Sequence, residues 1–227
     1  VAVAVIPLDP AISGWFERHR PAGDLRRELE ALQQFGQLAI SLVIAATIFL
    51  LDRRRARRLL DWAAAAVVAL ITVHMLKGMT GRPRPGLADP WHLTGPAGMY
   101  PVPSGTGFKM DSPWTSGYDL ASLPSRHACF AALAAVFLST MYPRLRPLAL
   151  TLTMVVMAAR VILGAHYPSD VLVGAALGAM IADVSCRRWW GVRAVDWAWK
   201  RAVDPYATPA LHRLVDAEAS TQAGGPG

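Results

Sequence analysis

Three stretches of this chain hold residue types that can handle an anion and do acid–base work. Lys77 closes one apolar run and is followed by Arg82 and Arg84, each before a proline. Pro124-Ser125-Arg126-His127 opens another apolar run. Arg160 lies near the end of a third, with His166 and Asp170 just beyond it. Singly, each has an ordinary explanation. A lysine at the end of an apolar helix snorkels to the interface. A serine before a helix is an N-cap, and an aspartate near a helix start complements its dipole. Arg160 is harder to place this way, because an arginine within an apolar run is costly unless it is paired or faces a polar cavity.

Together these residues describe a phosphate site. Lys77, Arg84 and Arg160 supply three cations that repel one another unless an anion lies between them. A phosphoryl group in transfer carries its charge on three equatorial oxygens, which guanidinium groups match in pairs. The start of the helix at Ser125–His127 adds free N–H groups, that of Arg126 among them, and the positive end of a dipole; the Ser125 hydroxyl adds a donor. Asp170 can orient His166 through one ring nitrogen and leave the other as a nucleophile. His127 then protonates the departing oxygen and later activates water. Asp170 is the one plausible carboxylate ligand, and the cations would repel a divalent ion, so no metal or other cofactor is expected.

The elements that position these residues are membrane helices. Of 227 residues, 53% are hydrophobic and 17% charged, the latter below the roughly 25% of soluble domains. Apolar runs cover 35–51, 59–76, 128–142, 148–165 and 171–184. At about 14–18 residues they sit at the lower limit for a span, and flanking residues and bilayer thinning complete them. The expected fold is all-α, a polytopic transmembrane bundle of five full spans, with residues 1–9 as the tail of a preceding span. Residues 10–34 form an outer-face amphipathic segment, with Leu25, Leu29 and Leu32 on one stripe. The core is 35–185, with an outer loop at 86–123, and 186–227 is a cytoplasmic tail that is small and polar from Ala217.

Crossing parity puts the Arg-rich turns at 52–58, 143–147 and 187–193 on one side, the cytoplasmic one. Residues 77–127 and 165–170 then share the other face. The net charge of +7 is spent on these turns, so nucleic acid is not an expected partner; the bilayer and a lipid phosphate are. Trp189, Trp190, Trp197 and Trp199 fit an interfacial belt on the inner face. Cys129 and Cys186 fall near opposite faces and are expected to be free thiols. His74 shares a helix face with Lys77; packing or interfacial placement is its ordinary reading. His19, His92 and His212 carry no assigned role.

The chain resembles the type 2 phosphatidic acid phosphatase superfamily. The first motif of that family, Lys, six residues, Arg-Pro, matches Lys77 with Arg84-Pro85 and selects Arg84 over Arg82. The second, Pro-Ser-Gly-His, matches Pro124-Ser125-Arg126-His127. The third, Ser-Arg, five residues, His, three residues, Asp, matches Ala159-Arg160, His166 and Asp170. The resemblance covers 36–185 and implies His166 as nucleophile and His127 as general acid. Arg126 departs from the family glycine and Ala159 from its serine. The segment Pro103-Ser104-Gly105-Thr106 lacks the histidine and reads as a turn.

The implied activity is hydrolysis of a lipid phosphate or diphosphate monoester on the periplasmic or exterior face of a bacterial inner membrane. Phosphatidate, phosphatidylglycerol phosphate, undecaprenyl diphosphate and lipid A are all compatible with it. A lipid phosphotransferase using the same phosphohistidine, and a non-enzymatic transporter or scaffold, are the alternatives. Vanadium haloperoxidases share the pocket, but the resemblance implies larger, soluble proteins for that chemistry. The 86–123 loop, with Trp91 and Trp114, is expected to cover the site and select the headgroup.

Overall fold

The structure, a computed structural model, describes residues 2–115 and 117–208. The readings made for His212 and for the polar end from Ala217 lie outside the described residues. In chain order the helices are α1 (Ala2–Val5), α2 (Asp9–Arg18), α3 (Gly23–Leu32), α4 (Leu38–Leu51), α5 (Leu59–Thr80), α6 (Arg126–Met141), α7 (Arg146–Ile162), α8 (Pro168–Arg188) and α9 (Trp190–Ala202). Between α5 and α6 a hairpin pairs β1 (Tyr100–Ser104) with β2 (Gly107–Asp111), antiparallel, with Tyr100 opposite Asp111. The five apolar runs thus become α4 to α8.

Among the described residues, three segments are long and apolar enough to cross a membrane: Ala56–Leu87, Pro143–Ile162 and Pro168–Arg188. Gly23–Gly36 and Leu38–Leu51 qualify only as a pair bent by 58°, which makes four if the pair is one span. The third run, α6, has 16 residues, short of the roughly 20 a bilayer core asks for. Length therefore supports fewer spans than the five expected. The reason is local. Ser125 caps α6 at one end, and Pro143 follows its last turn at the other. Its position also removes the need for length: every residue from Ala128 to Ala135 is buried by protein.

What brings α8 against α6 is a pair of glycines one turn apart. A Cβ on Gly174 would collide with the Ser125 carbonyl, and one on Gly178 with the Cys129 carbonyl. This small-xxx-small spacing lets two helix backbones approach within a membrane. Gly36 does the same for the bend before α4, where a Cβ would meet the His127 carbonyl. The N-terminus of α6 is thus clamped from two sides.

The Arg-rich turns do meet at one end of the bundle. The Tyr142 hydroxyl donates to Asp52 (3.0 Å), and the Arg55 guanidinium lies over the Tyr142 ring. Arg58 donates to the Cys186 carbonyl (3.1 Å) and stacks on Trp189. The buried Asp61 carboxylate accepts from the Gly191 and Val192 N–H groups (2.9 and 3.2 Å) and so docks the start of α9. Trp197 and Trp199 of that helix remain exposed. Both cysteines are free. At the opposite end, α3 keeps Leu25 and Leu32 exposed.

The glycine contact gives a direct test. Gly178→Val forces a side chain into backbone and should cost about 1–3 kcal/mol, read as a lower thermal midpoint in detergent. An unchanged midpoint would mean that α6 and α8 do not touch here.

Candidate active site

The turn between α7 and α8 delivers His166. Gly164 makes the turn in the left-handed region at φ 66°, and Pro168 starts α8, where its missing N–H costs nothing. The His166 ring is 2% exposed, and its Nδ1 lies 2.7 Å from the Ser122 carbonyl oxygen. A carbonyl only accepts, so Nδ1 carries the proton and Nε2 holds the free lone pair.

Asp170 was expected to make that contact itself. Its carboxylate is 3.8 Å from Nδ1, beyond hydrogen-bond distance, because its oxygens are taken. One accepts from Arg82 (2.6 Å); the other accepts from the Ser122 hydroxyl (2.5 Å) and the Tyr167 N–H (3.0 Å). Asp170 is therefore linked to His166 through Ser122, which bonds the carboxylate with its hydroxyl and the imidazole with its carbonyl.

Arg82 is the partner that spacing passed over. It is buried, and it ties Asp170 to Asp9 (2.7 Å), the Ser169 hydroxyl (2.8 Å) and the Pro90 carbonyl. Asp9, fully buried at the start of α2, also accepts from the Ser169 N–H (3.0 Å). Asp9, Ser122 and Ser169 gave no sequence signal. Arg82 gave one, a second Arg-Pro beside the first.

The three expected cations face one cavity of about 390 Å³, whose lining includes His74, Lys77, Arg84, Trp114, Tyr118, Arg126, His127, Arg160 and His166. Neutral oxygens hold each of the three. Arg84 donates to the Tyr118 (2.7 Å) and Ala165 (2.6 Å) carbonyls, and Lys77 to the Ala121 carbonyl. Arg160 donates to the Gln33 side chain (2.7 Å), while its buried Nε has no hydrogen-bond partner among the described residues. Such acceptors fix geometry without cancelling charge. Ser125 is buried and accepts from the Ala128 N–H at 3.5 Å, so its hydroxyl serves as the cap.

Of the long loop, Trp114 packs on Gly78, donates to the Pro96 carbonyl (2.9 Å) and lines the cavity with Tyr118. Trp91 is exposed and is not part of the lining. His74 stands edge-on to Trp114 at 5.9 Å. Among the described residues no three His, Cys, Asp or Glu side chains gather as metal ligands.

A sequence profile of the PAP2 superfamily matches residues 58–193, which contain all three cation- and histidine-bearing stretches. The chain belongs to the PAP2 superfamily. It is 31% identical over 155 residues to the decaprenylphosphoryl-5-phosphoribose phosphatase of Mycobacterium tuberculosis, covering 67% of this chain and 74% of that one. Two crystal structures share its fold. Aquifex aeolicus LpxE has a TM-score of 0.56 at 16% identity, over 79% of this chain and 95% of that chain. The transmembrane PAP2 type phosphatidylglycerolphosphate phosphatase of Bacillus subtilis has a TM-score of 0.57 at 23% identity, over 82% and 87%. This PAP2 protein is accordingly an integral-membrane phosphatase.

Burial first, then the fields of Arg84, Lys77 and Arg160, holds the His166 pKa well below its ordinary value near 6.5. The unfolded chain takes up this proton as the pH falls through about 6.5, and the folded PAP2 enzyme does not. Wild-type stability should therefore fall relative to His166→Gln as pH drops below about 6.5, by at most about 1.4 kcal/mol per unit. Parallel melting curves between pH 7 and 5 would show that His166 protonates freely in the fold.

Proposed function

We propose that this protein hydrolyses a lipid phosphate or diphosphate monoester through a phosphohistidine on His166, at the extracytoplasmic face of a bacterial inner membrane. The observation that carries the reading is the Ser122 carbonyl on His166 Nδ1 (2.7 Å), which leaves Nε2 as nucleophile in a cavity shared with Lys77, Arg84 and Arg160. Five crossings by α4 to α8 fit this orientation, with the short α6 inside the bundle and the Arg-rich turns on the cytoplasmic side. The relative's substrate, a polyprenyl lipid bearing a sugar phosphate by its name, supports a lipid ester.

In the first step Nε2 forms a bond to phosphorus while the ester P–O bond breaks. The departing oxygen takes a proton from His127, which the bound phosphate dianion keeps protonated against the field of the cations. Lys77, Arg84 and Arg160 receive the charge on the equatorial oxygens, and the orphan Nε of Arg160 finds its acceptor there. The N–H groups at the start of α6 supply further donors. In the second step water attacks the phosphohistidine and gives its proton to His127, releasing inorganic phosphate and restoring His166. Asp170 is a positioning residue, acting through Ser122.

Phosphate release by detergent-purified protein from a lipid phosphate panel, with EDTA present, tests this reading. His166→Ala should abolish release, and His127→Ala should lower it by about 10²–10⁴-fold. Release that survives in His166→Ala rules out the histidine mechanism.

A further inference from the structure

We infer that Arg126 makes this enzyme selective for lipids whose leaving group carries its own anionic phosphate. The inference rests on the phosphatase reading above and deepens it.

A second cavity, of about 150 Å³, adjoins the first and is lined by Gly36, Gln37, Leu38, Ala39, Leu70 and Phe130 together with Arg126 and His127. Arg126 and His127 are the two residues common to both linings. This fixes the direction of the substrate. Phosphorus lies among His166 and the three cations, and the leaving oxygen lies at the general acid His127. The rest of the leaving group therefore continues past His127 into the second cavity. Apart from Gln37, Arg126 and His127, its walls are apolar, which suits the first part of a hydrocarbon chain.

Arg126 stands beside this crossing point. Its side chain is exposed and makes no ion pair with the described residues. Three cations already match three equatorial oxygens, so a fourth is surplus to a simple monoester. A side chain at this position meets the atoms just beyond the leaving oxygen. An anionic group there, either the inner phosphate of a diphosphate or a phosphodiester a few bonds away, gains a charge-assisted contact. An arginine at the head of a membrane helix can also snorkel to the interface; snorkelling, however, does not discriminate between substrates.

Two matched lipid pairs test the inference: phosphatidate with phosphatidylglycerol phosphate, and farnesyl phosphate with farnesyl diphosphate. The readout is the ratio of kcat/KM within each pair, for wild type, Arg126→Gln and Arg126→Lys, with His166→Ala as the control for enzymic release. In Arg126→Gln the ratio should fall by about 10- to 100-fold for at least one pair, mostly through KM, with a smaller fall in Arg126→Lys. The pair that responds says whether the second anion is adjacent or distant. Ratios unchanged in both pairs, whether or not overall rates drop, overturn the inference and leave the phosphatase reading standing. Release from none of the four lipids by wild type, or equal release by His166→Ala, defeats the phosphatase reading and the inference with it.

Discussion

A carboxylate taken wholly out of water must be met by a cation and by donors for its lone pairs, or its burial costs several kcal/mol. Asp170 is in that position, and the way it is satisfied organises the active end of the bundle. Arg82 comes to it from the segment after α5, Ser122 from the end of the long loop, and the Tyr167 N–H from its own turn. Asp9 brings in the N-terminal helix by sharing Arg82 and Ser169. Four distant parts of the chain are thus joined through one side chain. The Ser122 carbonyl, fixed by the same arrangement, sets the tautomer of His166. The residue that aligns His166 and the residues that hold the fold together are one network.

The cavity beside it runs on the opposite logic. There Lys77, Arg84 and Arg160 are held by carbonyls and an amide, so their charges add. Mutual repulsion of this kind destabilises the fold slightly and makes the site receptive to a phosphate dianion. Such a field also keeps a buried imidazole neutral, and a neutral imidazole is the form that can attack phosphorus. Arg82 and Arg84, two residues apart, fall on either side of this division: one neutralises Asp9 and Asp170, and the other is held by carbonyls and lines the cavity.

Much of this was legible in the residues. The apolar runs became helices, the Arg-rich turns met at one end, and the three motif segments converged at the other. Hydrophobic periodicity and charge placement report on an element's surroundings, so they carry such information. The contacts that decide geometry were less visible. Gly174 and Gly178 had the spacing of a close helix crossing, yet glycines in an apolar run say nothing of which backbone they will meet. Asp9 sat in a stretch that read as the tail of a span, and Ser122 had no motif, because a backbone carbonyl accepts from any residue. The direct pairing expected of Asp170 and His166 followed from their helical spacing; the hydroxyl and carbonyl of Ser122, brought in from 44 residues away, took its place. Length alone supports three or four of the five expected spans, because α6 is buried by protein and needs less length.

The central claim is that phosphate passes through His166. Rapid quenching of the wild-type enzyme during turnover of a lipid phosphate, followed by peptide mass spectrometry under alkaline conditions that preserve an N–P bond, measures this most directly. A phosphoryl group on His166 at Nε2 is the predicted result. A phosphoryl group on any other residue, or turnover with no phosphoenzyme under conditions that trap a control phosphohistidine, would contradict it.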